Sequence, residues 1–145
     1  MAVSSRPLAG FGVDLSTNLA DKHVQKRLSP TARKAFFKII SAWKIRDEEA
    51  KQLLGGISNG AFYQLKGGQS KTTLDQDRLV RISLLVGVFK ALNTLYRQKL
   101  ADAWISLPNS NPMFAGEAPL SYMVKGGQPA IIRVRQLLDS RRAGG

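Results

Sequence analysis

Apolar residues in the first half of the chain recur at helical spacing. One set lies at i, i+3, i+4 and i+7 and consists of Phe36, Ile39, Ile40 and Trp43. This spacing predicts an amphipathic helix. Because Ser29 can cap a helix and Pro30 fits its first position, we expect the helix to begin there. Residues 1–27 have few sustained apolar positions, which indicates a partly ordered arm with a short helical turn near residues 19–24.

Two shorter helices are predicted next. The first covers residues 47–54, with Asp47 as its cap, and the second covers residues 59–66, capped by Ser58. A pair of glycines follows each of them, as is typical of helix ends in the left-handed conformation. Two short helices joined by a glycine-containing turn are typical of a helix-turn-helix.

The second half opens on a long apolar stripe. Asp75 can cap a helix whose inward residues are Leu79, Ile82, Leu85, Val86, Phe89, Leu92 and Tyr96. We expect this helix to run to Leu100 or Trp104, a span of roughly 40 Å at 1.5 Å per residue. Pro119 then opens a short helix through Val124, closed by Gly126 and Gly127. A last helix is predicted over residues 129–140, with Arg133 and Arg135 mostly outward.

The pattern therefore predicts an all-α protein of five to six main helices. Residues 28–74 form the helix-turn-helix half, and the long helix joins it to a small helical C-terminal domain within residues 75–145. Because the chain has only 145 residues, we expect one compact body or two small subdomains that share a core.

Composition narrows the class of protein. No apolar run approaches the ~20 residues of a membrane span, and residues 1–12 lack the apolar stretch of a secretory signal, so we expect a cytoplasmic protein without membrane contact. The absence of cysteine excludes disulfides and thiolate sites. The formal net charge is +12, which favours an anionic partner such as nucleic acid over a merely solubilising surface.

The second helix of the predicted helix-turn-helix carries candidate DNA contacts. They are Ser58, Asn59, Tyr63, Gln64, Lys66 and, in the following loop, Lys71. Asn and Gln side chains can pair with adenine, Tyr63 can reach a phosphate or a thymine methyl group, and the two lysines suit the phosphate backbone. The alternative is a tight helical corner within a core. Residues 31–74 contain eight Lys and Arg against three Asp and Glu, which favours DNA.

Catalysis has little support. The single histidine, His23, lies in the predicted arm, where nothing holds it rigidly enough for a catalytic site. The pairs Asp75 with Asp77 and Glu48 with Glu49 lie in first turns of helices, where the helix dipole favours acids. Residues 66–72 lack the glycine and lysine spacing of a phosphate loop. We therefore expect no enzyme, no metal and no cofactor.

Several short motifs resemble those of the MbcA/ParS/Xre antitoxins. In the first half these are Leu28-Ser29-Pro30, Trp43, Glu49-Ala50 and Leu53 to Ser58. In the second half they are Asn111-Pro112, Phe114-Ala115-Gly116, Pro119-Leu120, Met123, Gly126-Gly127, Val134, Leu138-Asp139 and Gly144-Gly145. The pattern Phe-x-Gly-x-x-Pro-Leu-x-x-Met-x-x-Gly-Gly is the most specific part. The resemblance covers roughly residues 28–145, and no motif precedes Leu28.

This resemblance implies a type II toxin-antitoxin system. The chain would bind a RES-domain toxin that consumes NAD or transfers ADP-ribose, cover its active site, and repress its own operon by binding promoter DNA. The toxin contacts that it implies are the C-terminal helix and tail, with Arg133, Arg135, Leu138, Asp139, Arg141 and Arg142. The guanidinium groups of the four arginines can match part of a pocket built for an anionic dinucleotide.

Met113 and Phe114 stand out as large apolar residues in a turn-forming segment. They dock either into the chain's own core or onto a partner, and we include both among the candidate toxin contacts. A homodimer is expected because a palindromic operator favours two-fold protein symmetry. The alternative functions are a plain transcriptional regulator with a partner-sensing C-terminal domain and, from another class, a small enzyme.

Overall fold

A computed structural model describes residues 17–68 and 72–144. Its helices are α1 (Lys22–Trp43), α2 (Asp47–Leu53), α3 (Asn59–Lys66), α4 (Gln76–Leu95), α5 (Gln98–Ala103) and α6 (Pro119–Arg142). Two single 3₁₀ turns, Trp104–Ser106 and Pro112–Phe114, lie between α5 and α6. These ranges contain no β-strand, so the predicted all-α class is confirmed.

Helix α1 begins eight residues before the predicted start, at Lys22 instead of Pro30. Asp21 caps it by accepting hydrogen bonds from the backbone N–H groups of His23 and Val24. The interpretation of Ser29 as a cap is therefore wrong. Ser29 is buried inside α1, where its hydroxyl donates to the Gln25 carbonyl at 2.6 Å and accepts from the Leu74 N–H at 2.7 Å. It ties α1 to the segment that enters α4.

The starts of α3 and α4 follow their caps as predicted. The Ser58 hydroxyl accepts from the Ala61 N–H, and the Asp75 carboxylate accepts from the Arg78 N–H. For α2 the prediction is wrong by one residue, because Asp47 is its first helical residue and Arg46, which precedes it, makes no side-chain cap bond. As the first residue, Asp47 still complements the positive end of the helix dipole.

Helix α4 is the central element of the core. It packs against α1 and α6, and α2 also packs against α6. Leu85, Phe89 and Leu92 are fully buried, and the Phe89 ring lies 6.1 Å from that of Trp43. The buried apolar residues of all these helices form one continuous cluster.

The predicted extension of this helix to Leu100 or Trp104 is wrong. Tyr96 has extended backbone angles, so α4 ends at Leu95 and spans about 30 Å. The chain changes direction and places Ala101, Trp104 and Ile105 in the core. If α4 had continued straight past Leu95, these three residues would have been carried away from the core that they now enter.

Helix α6 is broken where the sequence predicts the end of one helix and the start of another. Gly127 has φ 69° and ψ −155°, a combination open essentially to glycine alone. Beyond the break, Ile131, Val134 and Leu138 are fully buried. No helix within the described ranges has both the length and the apolarity needed to cross a membrane.

Ala115 allows a test of local strain in the turn before α6. Its φ of 51° places it in the left-handed region, which costs an alanine about 1 kcal/mol. Ala115→Gly is therefore expected to raise the free energy of unfolding by about 0.5–1 kcal/mol, measured by urea titration. Ala103→Gly, at the end of α5, is the control and should lower stability; a destabilising Ala115→Gly would contradict the strain.

Candidate functional site: the α2–α3 face and the C-terminal arginines

Helix α3 exposes the polar face that the sequence predicts. Asn59, Tyr63, Gln64 and Lys66 are all exposed, whereas Phe62 and Leu65 are buried beneath them. The side chain of Gln64 has no hydrogen-bond partner among the described residues. Ser58 is exposed but already serves as the cap. Lys71 lies outside the described residues.

Asp47 at the start of α2 links two of these side chains. Its carboxylate accepts a hydrogen bond from the Tyr63 hydroxyl at 3.1 Å and from Lys66 Nζ at 2.9 Å. Tyr63 is half exposed, with 51% of its surface accessible, so this pairing sits on the surface rather than in the core. A negative charge therefore lies in the middle of the face that is predicted to meet DNA.

The buried Lys51 orients a third side chain of this face, that of Asn59. Only 6% of its surface is accessible, which is unusual for a lysine and requires compensation. Its ammonium group donates to Glu48 at 2.7 Å and to Asn59 Oδ1, and lies 6.0 Å from the centre of the Tyr63 ring. With Oδ1 held by Lys51, the amide N–H groups of Asn59 are the side that remains to face outward.

The pKa values of two of these side chains are shifted, one downward and one upward. The hydrogen bond from Lys66, supported by the one from Tyr63, lowers the pKa of the Asp47 carboxyl below its ordinary value of 3.8, although burial opposes the shift. The hydrogen bond to Glu48 raises the pKa of Lys51 above 10.5, again against burial. Both shifts favour the charged forms at neutral pH. The six residues Asp47, Glu48, Lys51, Asn59, Tyr63 and Lys66 are called the α2–α3 charge network below.

The lowered pKa of Asp47 predicts an acid-dependent contribution to stability. A depressed folded-state pKa means that the contribution is complete above 3.8, the ordinary value, and is lost as the pH falls through the folded value. Asp47→Asn should therefore be less stable than the wild type at neutral pH, and the difference should shrink as the pH falls below 3.8. Urea titrations across this range measure it; a difference that grows in acid would exclude the mechanism.

The predicted C-terminal contacts separate into two groups. In the first, the Asp139 carboxylate lies between two guanidinium groups, 3.1 Å from Arg135 Nε and 3.7 Å from an Arg142 nitrogen. Arg141 donates to the Tyr96 hydroxyl at 3.3 Å. Arg135, predicted to lie mostly outward, is only half exposed, because its guanidinium lies over α4. The glycine at that point, Gly87, makes the approach possible, since a Cβ there would overlap the guanidinium.

The second group surrounds a shallow hollow on the other side of α6. Met113, Phe114 and Arg133 line it together with Tyr122 and Lys125. Arg133 donates to the Tyr122 hydroxyl at 3.4 Å. The exposed parts of Met113 and Arg133 are therefore close enough to contact one partner surface.

Two of the predicted toxin contacts, Phe114 and Leu138, have buried side chains in this structure. Phe114 is 2% accessible, and its ring packs edge-on against Trp104 at 6.3 Å and Tyr122 at 5.2 Å. Leu138 is completely buried. Of the two alternatives for Phe114, docking into the chain's own core is the observed one, because the 3₁₀ turn capped by Asn111 points the ring inward.

The residues missed by sequence reasoning are those that hold the predicted ones in place. The sequence marks Asp47 only as a cap and Tyr96 only as an inward residue of a helix, and it assigns no role to Lys51 and Tyr122. The spacing of Glu48 and Lys51 at i, i+3 is a usable signal. The tyrosine hydroxyls give no signal, because their partners are far away in sequence. Among the described residues, no three His, Cys, Asp or Glu side chains come together as a metal site would require.

Comparison with known proteins gives a relative over most of the chain. The chain is 34% identical over 116 residues to the uncharacterized protein y4oB of Sinorhizobium fredii (strain NBRC 101917 / NGR234), covering 79% of this chain and 87% of that protein. No family model matches the chain. No solved structure matches it either.

Proposed function

We propose that this chain, which belongs to the same family as the Sinorhizobium fredii protein y4oB, is a cytoplasmic antitoxin that binds and inhibits a RES-domain toxin and represses its own operon. The observation that carries the toxin-binding part is the group of arginines at the end of α6. Arg142 and Arg135 keep 43% and 36% of their side chains accessible although both pair with Asp139. Guanidinium groups in this arrangement suit a pocket that binds an anionic dinucleotide.

The neighbouring geometry supports contacts on two sides of α6. Arg141 and Arg142 occupy the last turn of α6, and Ala143 and Gly144 beyond them are exposed. Arg141 is held against Tyr96 by its hydrogen bond, so Arg142, Ala143 and Gly144 are the exposed groups that a cavity of the toxin would cover. The hollow with Met113 and Arg133, on the other side of α6, offers a separate second contact.

A shortened chain ending at Ser140 tests the role of the arginines. The chain is co-expressed with the RES-domain reading frame next to its gene, and cellular NAD is measured together with recovery of the complex. We expect the shortened chain to lose inhibition, and Arg141→Gln/Arg142→Gln in the full chain to weaken it. The control is Lys90→Gln/Lys99→Gln, which removes the same charge from exposed positions elsewhere. Full inhibition by the shortened chain would exclude this mechanism.

The same experiment separates the antitoxin from its alternative. A stable complex, with NAD lost only when this chain is absent, supports the antitoxin. No toxicity and no complex would instead favour a plain transcriptional regulator with a partner-sensing C-terminal domain. The small enzyme has less support, because the single histidine, His23, is exposed in the first turn of α1.

The exposed face of α3 supports the DNA-binding part of the proposal. Helix α3 is capped, short and rigidly joined to α2 through the α2–α3 charge network, and Gln64 is available to hydrogen-bond a base edge. Selection from a duplex pool of mixed sequence is expected to yield a preferred motif for the wild type. Gln64→Ala should relax the preference at one position, by about 1–3 kcal/mol, and leave non-specific affinity unchanged. Failure of the wild type to select any motif would contradict sequence-specific binding.

A further inference from the structure

Helix α1 carries several positive charges and no negative charge. Its 22 residues include six lysines and arginines and no acidic residue. Four of the cations, Lys22, Lys26, Arg27 and Lys34, are exposed and form no ion pair with any described residue. We call these four the α1 basic face. Elsewhere in the described chain, Lys66 and Lys125 lie beside acids, whereas Lys44, Lys90, Arg97 and Lys99 are exposed without an ion pair to a described residue. What distinguishes α1 is that its cations share one helix with no acidic residue.

The α1 basic face adjoins α3. Arg33, on the same helix, donates to the Leu65 carbonyl at the end of α3 at 3.3 Å, and the Phe37 ring lies 5.7 Å from that of Phe62. Lys34 precedes Phe37 by three residues, so the two side chains are neighbours on the helix surface. Lys34 is therefore placed beside α3.

The other end of the face follows the connection between α3 and α4. Lys22 and Lys26 line a hollow of about 360 Å³ together with Thr73 and Asp75. Lys22 and Lys26 share one side of α1 with Arg33, because they are spaced by four and seven residues. Arg27 and Lys34 are also seven residues apart and form a second row, about 100° around the helix. The α1 basic face therefore presents two adjacent rows of cations over about three turns.

We propose that the α1 basic face binds the phosphate backbone of nucleic acid, beside the segment that α3 contacts. Unpaired lysines spaced along a helix can each neutralise a phosphate without reading the sequence, and each such contact releases counterions. The interface then has two parts, with α3 contributing base contacts and α1 contributing sequence-independent affinity. This inference rests on the DNA-binding part of the proposed function.

A charge-matched pair of variants tests it in the full chain. The first is Lys22→Gln/Lys26→Gln/Arg27→Gln/Lys34→Gln. The control is Lys44→Gln/Lys90→Gln/Arg97→Gln/Lys99→Gln, which removes four exposed cations from other surfaces. The two variants have the same net charge, lower than that of the wild type, and circular dichroism checks that both fold. Binding to duplex DNA of mixed sequence, and to the duplex selected by the wild type, is measured by fluorescence anisotropy between about 50 and 200 mM salt.

We expect the first variant to lower affinity for both duplexes to a similar extent. The slope of log affinity against log salt should decrease by about 0.9 for each phosphate that the variant no longer neutralises, so that four phosphates account for about a 10²-fold change across this salt range. The control should keep most of the wild-type slope. Equal reductions in both variants would show only an effect of net charge and would overturn the inference.

The remaining outcomes are also distinguishable. If the wild type binds neither duplex, the DNA-binding part of the proposed function fails, and the inference with it. If the wild type binds DNA and the first variant binds equally well, only the inference fails. A first variant that keeps DNA affinity and no longer captures the toxin would overturn it in favour of an acidic protein partner.

Discussion

Replacing Phe114 with alanine is expected to lower the free energy of unfolding by about 3–5 kcal/mol, because a fully buried aromatic ring leaves a cavity that its neighbours fill only in part. Trp104 and Tyr122 contact this ring edge-on, so the variant removes two favourable aromatic pairs as well. Urea titration of the isolated chain measures the decrease.

Met113→Ala is the matched control for this prediction. Met113 precedes Phe114 in the same 3₁₀ turn but is only partly buried, so its truncation should cost about 1 kcal/mol. If Met113 lies at the proposed toxin interface, the control weakens toxin capture while the free chain stays folded. A Phe114→Ala chain that has wild-type stability and no longer captures the toxin would reverse the assignment and restore the partner contact.

Local chemistry explains which helix boundaries could be predicted. Ser58, Asp75 and Gly127 each act through their own backbone neighbours, by capping or by adopting a positive φ. Signals of that kind are contained in a few consecutive residues. The helix starts at Asn59 and Gln76 and the break in α6 therefore follow directly from the sequence.

Other boundaries depend on distant contacts. Ser29 carries the residue type of a cap, but its hydroxyl is used by Leu74, which is far away in sequence. Helix α4 ends at Leu95 without a glycine or proline, because the core takes in Trp104 and Ile105 from another direction. Such helix ends are a result of tertiary packing, so they cannot be predicted from a local sequence pattern.

The same distinction applies to the candidate site. The exposed polar face of α3 follows from helical periodicity alone, since Phe62 and Leu65 face inward. The partners that hold this face do not, because Asp47 is 16 residues from Tyr63 and 19 from Lys66. The sequence therefore predicts which groups are exposed on α3, and only the structure shows which of them already have a partner.

This difference changes the interpretation of the individual DNA contacts. The sequence predicts Lys66 as a free phosphate ligand and Tyr63 as a phosphate or thymine contact. Both are paired with Asp47, so a phosphate must compete with a carboxylate for them. Asn59 stays a predicted base contact, with its amide oxygen held by Lys51. Gln64 and the α1 basic face are then the proposed DNA contacts that have no ion pair or hydrogen-bond partner to give up among the described residues.

Asp47→Asn is accordingly expected to increase affinity for duplex DNA about tenfold at about 0.1 M salt, since one released lysine contact adds about 0.9 to the salt slope. The substitution removes the negative charge from the α3 face and keeps a side chain that can still accept from Tyr63. Asp139→Asn is the control, because it removes the same charge and releases arginines on α6 instead. Fluorescence anisotropy over a salt series measures both. Weaker binding by Asp47→Asn would contradict this prediction. The carboxylate would then aid DNA binding by orienting Tyr63 and Lys66.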